Sequence, residues 1–239
     1  MGDIVLRHSR ILLAVVMTFV LTACTIASLP YDRQTAAIKS IGVVTPARWD
    51  DTGTFLATSV GGSFGLIGAL VDAAITSSRN ARLRTILREQ EYAPLGALQD
   101  EVIKALVANG YVATAIAQAA ERREFLNASP ASPSPLDAYL DMVVLAHGYQ
   151  AVGIGPSAPW RPFVVLRVRL VRLNDSAVLM QNTIAYNPLN AGRDVITISA
   201  DTDFQFSTFN DLMAEPRKAT SGLKTAIEQT AKTIATLLR

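Results

Sequence analysis

Phe163 to Leu173 is the stretch that leaves this chain the least choice. Val164, Leu166, Val168 and Leu170 point one way along it, and Arg167 and Arg169 point the other. That alternation has the two-residue period of a half-buried antiparallel strand, with one face on a core and one face wet. Asn174-Asp175-Ser176 supplies turn chemistry, and Ala177 to Tyr186 returns as the second strand of a hairpin. A sheet is therefore required, and the rest of the chain must cover it.

Helices to do so are legible on both sides of the hairpin. Over Pro94 to Gly110, Leu95, Leu98, Val102 and Leu106 form one stripe, while Asp100, Glu101 and Lys104 lie off it. Asn109-Gly110 is the stop, because glycine accepts the left-handed conformation that closes a helix. From Ser221 to Leu238 a second stripe runs through Leu223, Ile227, Thr230, Ile234 and Leu237, with Ser221 as the expected N-cap.

Further strands are expected at Ile38 to Val44, ended by Thr45-Pro46, at Tyr111 to Thr114, and at Leu140 to Val152. Ile196 to Ile198 is a minor strand candidate, and Phe204, Phe206 and Phe209 gather ahead of the last helix. Ala117 to Phe125 is read as a short helix. The fold class expected is α/β (α+β): a mixed sheet with helices packed on it, a hairpin in the second half and an amphipathic closing helix.

The N-terminus carries a separate message. Arg7, His8 and Arg10 precede an apolar run from Ile11 to Val20, broken only by Thr18, and Leu21-Thr22-Ala23-Cys24 ends it with small residues before a cysteine. A charged head, a short apolar core and a small-residue site make an export signal, and the run is short for a spanning helix, which needs about 20 apolar residues. The LTAC tetrad resembles the bacterial lipobox, in which the cysteine is lipidated and becomes the first residue of the mature chain. Cys24 is the only cysteine in the 239 residues, so an exported chain has no internal disulfide to make and the thiol at the cleavage point is otherwise a stray. The other reading is an uncleaved anchor or a plain secretory signal. By resemblance to the sorting of such lipoproteins, Thr25 directs the chain to the outer membrane, facing the periplasm. This divides the chain into a signal peptide over 1–23, a lipidated tether over 24–36 and one α/β domain over 37–239. The net charge of +2 has no polybasic block behind it, and nucleic acid is not an expected partner.

Within the domain, 55–78 and 129–135 stand out. Phe55 to Ser78 is apolar or small with Asp72 its only charge, and Gly61, Gly65, Gly68 and Ala69 fall on one helical face. Such a small-residue face suits membrane contact or packing against a second copy; the alternative is a buried helix or a Gly-rich insertion folded against the domain. Arg79 to Arg88 then reads as a basic amphipathic helix, meeting either water or lipid phosphates. The proline- and serine-rich 129–135 is taken as a long loop inside one domain.

Catalytic chemistry is sparse. His147 is the sole histidine after the leader and stands in a strand candidate. The pairs Asp137 with Asp141 and Asp201 with Asp203 lack a third partner and read as solvated carboxylates. No phosphate-binding loop, dinucleotide fingerprint or nucleophile elbow is present, and no metal ligand cluster or cofactor is expected. Trp160 and Arg161, set between Pro159 and Pro162, are the candidate contact residues, tryptophan and arginine being enriched at binding hot spots; the alternative places Trp160 in the core.

The order of lipidated cysteine, tether, strand AIKSIGVVTP, helix ending LVANGYV, hairpin and final helix resembles the small α/β domain of envelope lipoproteins related to the TolB amino-terminal domain and the curli secretion-channel lipoprotein. In that group a helix commonly ends in a glycine-aromatic pair, as Gly110-Tyr111 does here. The resemblance covers about two-thirds of the mature chain, as a pattern without signature motifs. It implies a non-enzymatic protein acting through other envelope proteins in assembly, secretion or maintenance, with a homo-oligomer as one form. A lipid- or small-ligand-binding accessory protein of a transport system is the second expectation, and a hydrolase built on His147 the third.

Overall fold

The computed structural model describes residues 28–48, 52–55, 73–119, 121–132, 134–153, 158–189 and 191–239. Cys24 and the leader lie outside them, as do Gly61, Gly65, Gly68 and Ala69. Eight strands among the described residues form one mixed sheet: β1 (Ser40–Val44), β2 (Ala47–Arg48), β3 (Gly53–Phe55), β4 (Val112–Ile116), β5 (Ala138–Ala151), β6 (Trp160–Arg172), β7 (Val178–Tyr186) and β8 (Val195–Ile198). The order is β4-β1-β5-β6-β7-β8, and β2 and β3 also pair with β5. The chain thus lays β1, β2 and β3 in succession along one edge of β5, each parallel to it. The expected hairpin is present, β6 pairing antiparallel with β7, and β6 also pairs antiparallel with β5 over nearly the whole of both strands.

Five α-helices accompany the sheet: α1 (Arg33–Ala36), α2 (Ala73–Glu89), α3 (Pro94–Ala108), α4 (Phe209–Ala214) and α5 (Pro216–Thr236). The buried stripe of α3, Leu98, Val102 and Leu106, packs with Ile227 and Ile234 of α5 against Leu140, Met142, Leu166 and Val168 of the sheet. Helix α3 ends as its sequence predicts. Gly110 adopts φ 86°, the Tyr111 amide donates to the Leu106 carbonyl and the Gly110 amide to that of Val107, which is the Schellman arrangement. Helix α5 starts five residues earlier than expected. Pro216 occupies its first turn, where a missing N–H costs nothing, and Ser221 is an exposed residue within the helix rather than its cap.

The second face of the sheet departs from expectation. Arg167 and Arg169 do not face water; their side chains are 16% and 17% exposed. The segment expected to be a helix, Ala117 to Phe125, has no helix among its described residues and crosses this face instead. The Phe125 ring lies under the guanidinium groups of Arg169, at 4.5 Å, and Arg167, at 5.4 Å. Cation–π contact and ion pairing outweigh the weak local preference for a helix turn.

The tether also differs. It is bound to the fold from Ser28 onward: the Ser28 hydroxyl donates to Asn182 Oδ1 at 2.7 Å, and Leu29 exchanges backbone hydrogen bonds with Gln181 of β7.

Candidate functional site

Strand β5 holds the densest polar cluster because its register shifts. Residues 138, 140, 142 and 144 face the helices, a bulge intervenes between Val144 and Ala146, and from there the odd residues take over. A bulge adds one residue to one strand and so exchanges its two faces. His147, Tyr149 and Ala151 are thereby turned toward the helices.

His147 is held at both ring nitrogens. Nδ1 lies 3.0 Å from the Thr52 hydroxyl and Nε2 2.6 Å from the Tyr92 hydroxyl, with the Tyr92 ring stacked at 5.6 Å between centroids. Thr52 arrives just ahead of β3, and Tyr92 from the link between α2 and α3. Both hydroxyls can donate or accept, so a neutral imidazole is satisfied in either tautomer. Burial lowers the His147 pKa to about 4 and raises that of Tyr92 well above the usual phenol range. At pH 7 an imidazole with that pKa is a weak proton acceptor, far from the matched value that general-base catalysis needs. The adjoining cleft, lined by Arg48, Leu95, Leu98, Val144 and Ile227, has about 20 Å³ of open space, the room of a single water. The arrangement is suited to locking β5, β3 and the α2–α3 link together.

Asp141 makes the second cluster, on the opposite face. It is fully buried rather than solvated: the Leu126 amide donates to Oδ2 at 2.7 Å, Arg169 stands 3.5 Å from the same oxygen, and Arg122 pairs with Oδ1 at 2.7 Å by charge rather than by an aligned hydrogen bond. Arg122 also donates to the Thr45 carbonyl and Arg167 to Glu124, so the crossing segment is fastened to the sheet by ion pairs. Asp137, its expected companion, lies elsewhere in function: its carboxylate accepts the amides of Lys39 and Ser40, which hold its pKa below the usual range. Asp201 caps a short 3-10 turn by accepting from the Asp203 amide.

Trp160 and Arg161 begin β6, opposite Ala151 and Gln150 of β5, and Gln150 also pairs with Phe55 of β3. Trp160 is 3% exposed and packs on Phe209, centroids 5.4 Å apart, with Arg79 of α2 over its ring. Its indole is placed as a core side chain. Arg161 donates from Nε to Gln205 Oε1 at 2.7 Å. Arg82 lies over Phe209, and Leu83 and Leu87 of the same helix are buried, so the basic stretch docks by its apolar side. No signal in the sequence marks the Tyr92–His147–Thr52 set, whose members are up to 95 residues apart.

Among the described residues no group of three His, Cys, Asp or Glu side chains is placed to hold a metal ion, and no helix is long and apolar enough to cross a membrane. No family model and no curated protein matches the chain. Solved structures do. A PelC dodecamer from Paraburkholderia phytofirmans aligns at 14% identity and TM-score 0.32, over 84% of this chain and 91% of that one. Protein XCC0632 from Xanthomonas campestris aligns at 14% identity and TM-score 0.40, over 84% of each chain. Lipoprotein GNA1162 from Neisseria meningitidis aligns at 15% identity and TM-score 0.23, over 65% of this chain and 88% of that one.

Proposed function

We propose that this chain is a lipid-anchored protein of the bacterial envelope that acts through protein contacts and performs no catalysis of its own. The observation that carries the reading is the leader ending Leu21-Thr22-Ala23-Cys24 on the only cysteine of the chain. The polar clusters agree with it: His147 is sealed in its neutral form, and Asp141 is consumed by Arg122 and Arg169. Among the described residues, the cleft beside His147 has room for one water, which is too little for a lipid or other small ligand at that place. Outer-membrane residence, on the Thr25 argument, belongs to the same proposal.

Self-association through Gly61, Gly65, Gly68 and Ala69 is the form of contact proposed. The test pairs two measurements on detergent-solubilised protein. Intact mass should show acyl groups on Cys24, absent in Cys24→Ser. Light scattering should show a defined oligomer that a variant lacking residues 56–72 no longer forms. Free Cys24 defeats the anchor, and a monomer in both chains defeats self-association.

A further inference from the structure

The cations that stand over aromatic rings divide into two sets. Arg33 over Tyr111, and Arg167 and Arg169 over Phe125, each also donate to an oxygen of the fold, at the Asn109 carbonyl, Glu124 and the Leu126 carbonyl. Arg79, Arg82 and Lys218 do not. Arg79 lies 5.6 Å from the ring centroids of both Trp160 and Phe209, Arg82 5.2 Å from that of Phe209, and Lys218 4.9 Å from that of Phe206. Among the described residues, none receives a side-chain hydrogen bond or an ion pair from these three.

The rings beneath them form one fixed platform. Trp160 and Phe206 exchange backbone hydrogen bonds of 2.7 and 2.9 Å, the Trp160 and Phe209 rings are 5.4 Å apart, and all three side chains are buried. Cations from α2 and from the first turn of α5 are thereby gathered on one surface. A ring takes the face of a guanidinium group, which forms no hydrogen bonds, and leaves the in-plane N–H fork for a planar acceptor. Arg82 is exposed, and Arg79 and Lys218 are half-buried, so the donors are within reach from outside. Asp211, two residues from Phe209, is engaged in the capping box of α4 and does not neutralise them.

The occupant must therefore bring negative charge. Binding at a bilayer surface also draws on apolar side chains that enter it beside the charges. The large exposed hydrophobic side chains among the described residues are Leu29, Val107, Val112 and Val178, and none belongs to α2, α4, β6 or the start of α5. Carboxylates on a polypeptide fit this surface better than lipid does.

We propose that Arg79, Arg82 and Lys218 are a docking site for an acidic segment of another protein, whose carboxylates take the free edges of the stacked guanidinium groups and the Lys218 ammonium. This names the partner chemistry for the reading above, that the chain acts through protein contacts, and rests on it.

The test is the fluorescence anisotropy of labelled hexaglutamate added to the full-length mature protein in non-ionic detergent at low ionic strength. Saturable binding is expected, weakened about three- to five-fold in Arg82→Gln and in Lys218→Gln, as the loss of one exposed ion pair predicts. Arg88→Gln and Arg217→Gln remove the same charge from exposed positions of α2 and α5 and should leave binding unchanged. No binding, or an equal loss in all four variants, overturns the proposal, the latter by reducing it to net charge. Soluble dihexanoylphosphatidylglycerol should not displace the peptide at concentrations where unlabelled hexaglutamate does; displacement by it overturns the proposal in favour of a lipid headgroup. None of these outcomes alters the acyl mass at Cys24 or the oligomer seen by light scattering, so the contact reading stands or falls separately.

Discussion

The Tyr92 hydroxyl sits 2.6 Å from Nε2 of His147, closing the end of an imidazole whose Nδ1 is already met by Thr52. Both hydroxyls come from segments far from β5 in sequence, so this single ring reports whether the α2–α3 link and the approach to β3 are docked.

Its protonation sets a pH dependence. Burial lowers the folded pKa to about 4, against about 6.5 unfolded, so between these values the unfolded chain binds more protons and stability falls as pH falls. The contribution is fully present above pH 6.5 and lost by pH 4, about 3 kcal/mol in all. Urea titrations across that window should show the loss in the parent protein and a flatter profile in His147→Gln, whose side chain has no charge to bury.

Tyr92→Phe removes one hydrogen-bond partner and leaves a buried ring nitrogen facing carbon. An unsatisfied buried polar group is unfavourable by about 1 to 3 kcal/mol, and denaturation midpoints at pH 7 should fall accordingly.

Asp141→Ala should be more damaging, because it strands Arg122 and Arg169 on a covered face. Breaking a buried pair by removing one partner destabilises by about 3 to 5 kcal/mol. Protease accessibility around Arg123 should rise in this variant, and a double-mutant cycle with Arg122→Ala should give a coupling energy well above zero.

Two glycines should respond unequally to alanine. At Gly148, φ is 147° and a Cβ would stand 1.8 Å from the Gly53 carbonyl oxygen, so Gly148→Ala should dislodge β3 from β5 and melt at markedly lower temperature. At Gly110, φ is 86° and no atom lies within 4 Å of the added carbon, leaving only the left-handed conformation to oppose it. Gly110→Ala should lose about 1 to 2 kcal/mol by chemical denaturation.

What the chain's order of residues determined by itself is local. The alternation through Val164 to Leu170 set the hairpin, the stripe from Leu98 to Leu106 and Gly110 set a helix and its stop, and the spacing from Leu223 to Ile234 set the closing helix. Periodicity and capping act over a few residues and survive without knowledge of partners. The bulge before Ala146, the burial of Asp141 with Arg122 and Arg169, and the meeting of Tyr92 with His147 were decided by the tertiary structure alone. Each depends on which distant segment arrives to satisfy a charge or a hydrogen bond, and one extra residue in β5 is enough to exchange the faces on which those groups meet.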